Sequence, residues 1–516
     1  MSTIANPVVR GVAPDPSICR VGGDYFLATS TFDFLPGVRI HHSTDLVHWR
    51  LLGGAVTRPA QYRRDGLPGE VMLYAPTLRH HEGRFHLACT NVADGQGNFL
   101  LSTDDPAGPW SDAVWVDSHA FDPSLLFADG TCYYTRRTLA PLPDGRLGPV
   151  VQYEIDPATG AALGPMRELT PDYAGFSSND IEGPHLYKIG DWYYLFSAEG
   201  GSWKGHMQTC ARSRSPWGPF TPCPDNPVLT HRHRVGHPIQ TLGHADLVDA
   251  PDGSWWAVAL GTRHQAHGGF VYHHNLGRET FLAPVEWSDD GWPVIGAGGT
   301  VELYTETARP LPSNPASSVR VPETIWAYGW STQGIPAEGL SGDAAAGTFT
   351  LPYGRPFDAE DRSAGVGALF LPQQEDGATF TAVLQDPAPA GAEAGVAVHA
   401  SAHHHYALLA GTGPDGVRQA VLRRRVDDMA TEQRVPLPGA GAVRLRIEAD
   451  AERYTFLVAA DGEEFRTVGA GVARLLSAET AEAFVGCQFA LVAVGGEGTD
   501  LPAARFGAVA ATWSRP

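Results

Sequence analysis

The sequence predicts an all-β protein: a five-bladed β-propeller over residues 1–305, a linker over 306–324, and a jelly-roll-like β-sandwich over 325–516. Three observations carry that expectation. A strand–turn–strand word recurs along the N-terminal part of the chain, and long amphipathic helical patterns are absent. The C-terminal part is rich in Ala and Gly and alternates with period two. A chain of 516 residues also exceeds what one core comfortably buries.

Each repeat joins a Gly-containing turn to a short aromatic-rich run. The five are GGDYFLATS at 22–30, EGRFHLACT at 82–90, DGTCYYTRR at 129–137, IGDWYYLFS at 189–197 and DGSWWAVAL at 252–260. A turn of this chemistry followed by β-prone residues predicts a hairpin. Echoes follow in STDLVHW (43–49), STDDPAGPW (102–110) and SRSPWGPF (213–220), so each repeat has enough chain for a four-stranded blade. Radial repetition of such blades limits exposed sheet edges.

Residues 305–325 are rich in Pro and Ser and read as a linker. Beyond them TFTAVLQ (379–385), GVAVHA (395–400), HYALLAG (405–411), VRLRIEAD (443–450) and FALVAV (489–494) alternate as strands of a sandwich do. The His-rich run HASAHHHYALL has no acidic residue or Cys at ligand spacing, so it reads as a solvated strand end rather than a metal site.

Bulk properties narrow the function. With 37 basic and 57 acidic residues the net charge is −20, which disfavours nucleic acid and membrane surfaces as partners and suits a neutral ligand. The start, MSTIANPVVRG, lacks a signal-peptide pattern, and no apolar run approaches the ~18 residues of a membrane span. Six cysteines without a CxxC pair read as reduced thiols rather than a metal cluster, and a cytoplasmic location is the expectation.

Eight residues before Gly23, Gly83, Gly130 and Gly190 stand Asp15, Ala75, Asp122 and Glu182, and His244 precedes Gly253 by nine. Equivalent positions of radial blades lie at equivalent distances from the axis, so three carboxylates and an imidazole should converge. A single Asp-Pro is an ordinary turn starter. Three acids at one offset are harder to explain that way, because clustered carboxylates repel unless one is protonated or paired. Two carboxylates in unlike surroundings can protonate a leaving oxygen and activate water, and a third can raise the acid's pKa.

The words NPVVRGVAPDPSICRVGGDYFLATSTFDFLPGVRIHHSTDLVHW, FDPSLLFADG, IEGPHLYKIGDWYYLFSAEGG, GHADLVDAPDGSWWAVALGTR and LGRETFLAPVEW resemble glycoside hydrolase family 43. GWSTQGIP (329–336) and EAGVAVHA (393–400) resemble the C-terminal sandwich of its β-xylosidase/α-L-arabinofuranosidase branch. The resemblance implies an inverting, exo-acting hydrolase that releases terminal xylose, and arabinofuranose in the same pocket, from short oligosaccharides.

By the same resemblance Asp15 is the general base, Glu182 the general acid and Asp122 the residue that orients the acid and raises its pKa. Arg263 binds sugar hydroxyls and helps hold Asp15 ionised, while Phe32 and Tyr74 form pocket walls. His244 lies near the axis beside a calcium or a water cluster, which makes it the one candidate metal contact; no cofactor is required. Inversion implies acid and base ~6.5–9.5 Å apart. Tyr74 stands where Trp is frequent, and DFLPG (33–37) replaces a common EWFPG, so the subsite shape departs from the usual one. The sandwich closes part of the active-site mouth in this branch, and related enzymes often assemble as homo-oligomers. The alternatives are a dedicated α-L-arabinofuranosidase, a retaining five-bladed hydrolase and a non-catalytic sugar-binding propeller.

Overall fold

A computed structural model describes residues 2–514 except 68, 119, 139–148, 171–174, 178–179, 268–270, 308–309, 357–365, 414, 483 and 496–500. The protein is all-β, and the α-helix Ala478–Ala481 is a single turn. Among the described residues no helix is long and apolar enough to cross a membrane. The chain divides into two compact units. One comprises Met1–Val9, Ala13–His264 and Glu279–Pro322, and the other Arg10–Val12, Gln265–Arg278 and Glu323–Pro516.

Among the described residues the first unit holds five antiparallel sheets of four or five strands, each beginning with one of the repeat hairpins. They open with Ser17–Val21 and Asp24–Thr29, Leu73–His81 and Arg84–Asn91, Ala120–Ala128 and Thr131–Thr138, Glu182–Ile189 and Trp192–Glu199, and Ile239–Asp249 and Trp255–Arg263. Two further strands complete each sheet, and in the fourth Leu229–Thr230 adds another beside Met207–Ser213. The turns behave as the repeat predicts. Glu82–Gly83 and Asp129–Gly130 have positive φ at both positions, the conformation whose twist matches a two-residue hairpin.

The opening strands pack on one another in sequence order, the first against the second, the second against the third and the third against the fourth. The strand Ile239–Asp249 of the fifth sheet meets both the fourth sheet and Ser17–Val21 of the first, so the series returns on itself. Ser2–Ala5 pairs with Tyr304–Thr307, which joins the beginning of this unit to its end. Residues 310–322 carry no strand or helix, yet Asn314 anchors them: its amide donates to Asp24 Oδ2 at 3.0 Å.

A buried polar network ties the opening strands of all five sheets together. Arg79 donates to both oxygens of Asp246, at 2.7 and 3.1 Å, and meets His185 Nδ1 at 3.1 Å. Ser17 Oγ donates to Asp246 Oδ2 at 2.7 Å, Tyr187 donates to Oδ1, and Ser124 meets His185 Nδ1 at 3.3 Å. Asp246 is fully buried, and Arg79 with its other donors holds its carboxyl below the usual range against the cost of burial. Burial drives His185 down to about 3, so its ring is neutral at ordinary pH.

The second unit is a β-sandwich. A seven-stranded sheet runs Ser341–Asp343, Thr348–Leu351, Ala504–Ser514, Gly377–Leu384, Val443–Ala449, Arg453–Ala460, Arg466–Val472. A six-stranded sheet runs Ala368–Pro372, Gln488–Gly495, Ala392–Ser401, His404–Thr412, Arg418–Val426, Met429–Pro436. Gly377–Leu384 alternates half-buried and buried at every residue, the period the sequence shows, and Phe380 stacks on Phe489 with centroids 5.1 Å apart.

The His-rich run departs from the expectation of a solvated strand end. His399, His404 and His405 are buried because their strands pair on both edges in the middle of the six-stranded sheet. His399 packs at 5.1 Å on Phe370 and stacks at 6.4 Å on His405.

Candidate active site

The opening strands of sheets two to five each carry an irregularity near their start. The register shifts between Tyr74 and Thr77, Phe121 and Ser124, Glu182 and His185, and Gly243 and Asp246. Inside these breaks Ala75, Asp122, Gly183 and His244 have φ of 39°, 53°, 53° and 48°, and Asp15 has 52° just ahead of Ser17–Val21. A proline follows the left-handed residue in the first four repeats; lacking an N–H, it cannot serve a regular ladder there. Left-handed backbone costs a non-glycine residue about 1–3 kcal/mol. Its recurrence at Asp15, Ala75, Asp122 and His244 marks a place where the fold holds side chains at an enforced angle.

These breaks correct one detail of the repeat. Counting back from the turn glycine pairs Glu182 with Asp15 and Asp122, but the left-handed residue of the fourth sheet is Gly183. Glu182 therefore occupies the position of Tyr74 and Phe121, one residue earlier. The acids still converge, from two neighbouring positions of the repeat rather than one.

Asp15 is buried. Its Oδ2 accepts the Ser30 hydroxyl at 2.6 Å, and Ser30 Oγ in turn accepts the Ala75 N–H at 2.8 Å. His244 Nδ1 lies 3.7 Å from Asp15 Oδ1. The Ser30 hydroxyl and the His244 ring thus flank the two carboxylate oxygens of Asp15.

Asp122 is also buried, and its Oδ2 accepts the Gly183 N–H at 2.8 Å. Burial, then the charge of Glu182, then that of Asp15 push its carboxyl well above the usual range, against the pull of that N–H and of Arg137. Asp122 and Glu182 thus form a pair that keeps a proton where an ordinary carboxylate has lost it.

Glu182 is half-buried, with its Oε2 3.3 Å from a terminal nitrogen of Arg137. Gly183 links the groups: its N–H serves Asp122, and a Cβ added there would stand 2.9 Å from His244 Nε2. Only glycine gives both this close approach and an unstrained φ of 53°.

The other expected residues fall as follows. Phe32 is buried and meets Tyr74 edge to face at 5.4 Å, while its backbone exchanges two hydrogen bonds with Leu73. Arg263 lies in Trp255–Arg263, and Glu279, fully buried, grips its Nε at 2.7 Å and a terminal nitrogen at 2.9 Å. Two of its donors thus serve a carboxylate of the protein.

The groups described around His244 are the Asp15 carboxylate, the Gly183 backbone and the His185 ring at 6.2 Å, with Arg79 beyond. Calcium takes about 6–8 oxygen ligands. Among the groups described, one carboxylate is the side-chain oxygen donor beside His244, and no step below uses a metal.

Sequence reasoning missed Ser30, Gly183, Glu279, Phe121 and Arg137. Phe121 could have been found from the repeat, as the counterpart of Tyr74, and Glu279 lies in the quoted word LGRETFLAPVEW. Ser30 and Arg137 carry no sequence signal of their own.

A buried carboxylate that accepts a hydroxyl, beside a carboxyl pair in which Asp122 is pushed well above the usual range, is the kind of arrangement that cleavage of a glycosidic bond uses, and it points to the glycoside hydrolase class. Comparison with known proteins agrees. Residues 4–293 match the family described as Glycosyl hydrolases family 43, and residues 323–508 match its Beta xylosidase C-terminal Concanavalin A-like domain. The chain belongs to glycoside hydrolase family 43.

It is 39% identical to a non-reducing end alpha-L-arabinofuranosidase of Bacteroides ovatus, over 96% of this chain and 92% of that one. It is 31% identical to a xylan 1,3-beta-xylosidase of a Vibrio species, over 91% of each. The solved structure of a xylan beta-1,4-xylosidase from Bacillus halodurans superposes with a TM-score of 0.87 at 30% identity, covering 98% of this chain and 99% of that one.

Proposed function

We propose that this glycosidase is a five-bladed β-propeller enzyme that removes terminal xylose from xylo-oligosaccharides by direct attack of water, with inversion at the anomeric carbon. Asp15 is the general base: ionised and braced by Ser30, it takes a proton from the attacking water. Glu182 is the general acid, and the proton held by the Asp122–Glu182 pair is the one it delivers to the leaving oxygen. Asp122 competes with Glu182 for that proton, and the repulsion between the two carboxylates keeps one proton on the pair. Phe32 and Tyr74 offer ring surface for the apolar face of the sugar.

One observation carries this reading: Asp122 lies in the field of both Asp15 and Glu182 and holds the backbone of the residue that follows Glu182. The five sheets, whose opening strands meet in a closed series, support the blade count. The six cysteines, all free and buried, support a reducing, cytoplasmic setting.

A second reading is a dedicated α-L-arabinofuranosidase, favoured by the Bacteroides ovatus relative, which aligns over nearly the whole chain. Comparison of kcat/KM on an aryl β-D-xylopyranoside and an aryl α-L-arabinofuranoside separates the two. The first reading expects the xyloside to be turned over at least as well as the arabinofuranoside. Cleavage of the arabinofuranoside alone establishes the second, and cleavage of a hexoside with neither pentoside contradicts both.

A further inference from the structure

Arg137 is the last residue but one of the strand Thr131–Thr138 and lies directly opposite Phe121 in the third sheet. Its side chain is only 3% exposed, and the guanidinium carbon sits 5.4 Å from the centroid of the Phe121 ring. One terminal nitrogen meets Glu182 Oε2 at 3.3 Å, and the other meets Asp180 Oδ1 at 3.4 Å. Asp180 is mostly exposed and Glu182 mostly covered, so a buried cation bridges a solvated carboxylate and the one assigned to acid catalysis. Nothing in the residue types near position 137 announces this role; the sheet register creates it.

We propose that Arg137 is a positioning residue for the general acid, one that grips Glu182 by its Oε2 atom and sets the pH at which the acid loses its proton. The inference rests on Glu182 being that acid. An oxygen that accepts an N–H from a guanidinium is occupied as an acceptor, so the acidic proton is carried on Oε1. In the reaction Oε1–H passes its proton to the glycosidic oxygen as the bond to the anomeric carbon breaks, leaving Glu182 a carboxylate. Arg137 stabilises that carboxylate as its charge develops, which makes Glu182 a stronger acid in the transition state than burial and Asp122 alone would allow.

The described charged and titratable groups near Glu182 include Asp122 on the neighbouring opening strand, Arg137 on the strand beside that one, and Asp180 two residues upstream. Asp15 acts through its field on Asp122, and His244 lies against Gly183. Asp122 and Arg137 act in opposite directions on the acid. A general acid works protonated, so its ionisation sets the alkaline limb of the pH profile. Loss of the Arg137 charge therefore moves that limb up, and loss of the Asp122 charge moves it down.

The test is the pH dependence of kcat/KM on a pentoside with a poor leaving group, measured for the full chain and for Arg137→Gln, Arg137→Lys and Asp122→Asn. Arg137→Gln is expected to raise the alkaline limb by about 1 pH unit, with Asp122→Asn moving it the other way. Arg137→Lys keeps a cation and is expected to leave the limb near its original pH while turnover falls. It also carries the test if the Gln variant does not fold. On a substrate whose leaving group needs no protonation, the loss of rate in both Arg137 variants is expected to disappear. An alkaline limb unmoved in Arg137→Gln, or raised as far in Arg137→Lys, overturns the inference. Glu182→Gln, measured alongside, separates the two claims. If it keeps the original alkaline limb, Glu182 is not the acid. If it loses the limb while Arg137→Gln leaves it in place, the role of Arg137 alone fails.

Discussion

Replacing Asp15 with Ala is expected to lower turnover by at least ~10²-fold on every pentoside tested, whatever its leaving group, because general-base assistance is lost at the attacking water. The geometry makes the loss hard to offset. Asp15 is buried, its Oδ2 is held at 2.6 Å by the Ser30 hydroxyl, and its left-handed backbone aims it from the foot of the first sheet. His244, 3.7 Å away, carries an imidazole rather than a carboxylate and packs close to Gly183, where an added Cβ would meet its Nε2 at 2.9 Å. Steady-state rates over a series of aryl leaving groups check this. Near-wild-type rates on any of them contradict the base role.

Glu182→Ala is expected to show a different pattern. On substrates with poor leaving groups turnover falls by ~10²-fold or more, since the departing oxygen must leave unprotonated. On substrates with acidic leaving groups much of the rate returns, because protonation is no longer required. The same aryl series measures this as a steep dependence on leaving-group pKa that the unaltered enzyme lacks. A uniform loss across the series would mean that Glu182 acts in some other step. The two variants together assign separate duties to two carboxylates that differ in surroundings: Asp15 among donors, Glu182 beside a buried acid that shares its proton.

Much of this was legible in the sequence. The turn glycines mark the hairpins because a left-handed residue at a tight turn is a local demand, written in adjacent residues such as Glu82–Gly83 and Asp129–Gly130; the fifth turn, between Asp249 and Trp255, is longer but still carries left-handed Gly253. The offset back from those turns finds the acids because the stretch from each left-handed residue to its turn glycine is of nearly constant length, as from Asp15 to Gly23 and from Asp122 to Gly130. It misplaces Glu182 by one residue for a physical reason: the offset counts chain, whereas the break in register decides which residue takes the left-handed position. In the fourth sheet that residue is Gly183, and Glu182 takes the register position that Tyr74 and Phe121 hold elsewhere.

Arg137 stayed hidden because its place depends on pairing across the sheet, opposite Phe121, and not on any motif along the chain. Arg263 was found, but its two-point grip by Glu279 comes from a later strand of the same sheet. The His-rich run was misjudged on similar grounds. Polar composition suggests solvent, but strands paired on both sides bury His399, His404 and His405 whatever their polarity.

In the proposed reaction water, and not a protein carboxylate, attacks the anomeric carbon. Proton NMR during the first moments of hydrolysis of an aryl β-D-xylopyranoside tests that most directly, before mutarotation mixes the products. Attack by water activated at Asp15 predicts α-xylose as the first sugar to appear, with the β-anomer growing in later. If β-xylose appears first, a covalent intermediate with retention has formed, and the assignment of Asp15 as a base is contradicted.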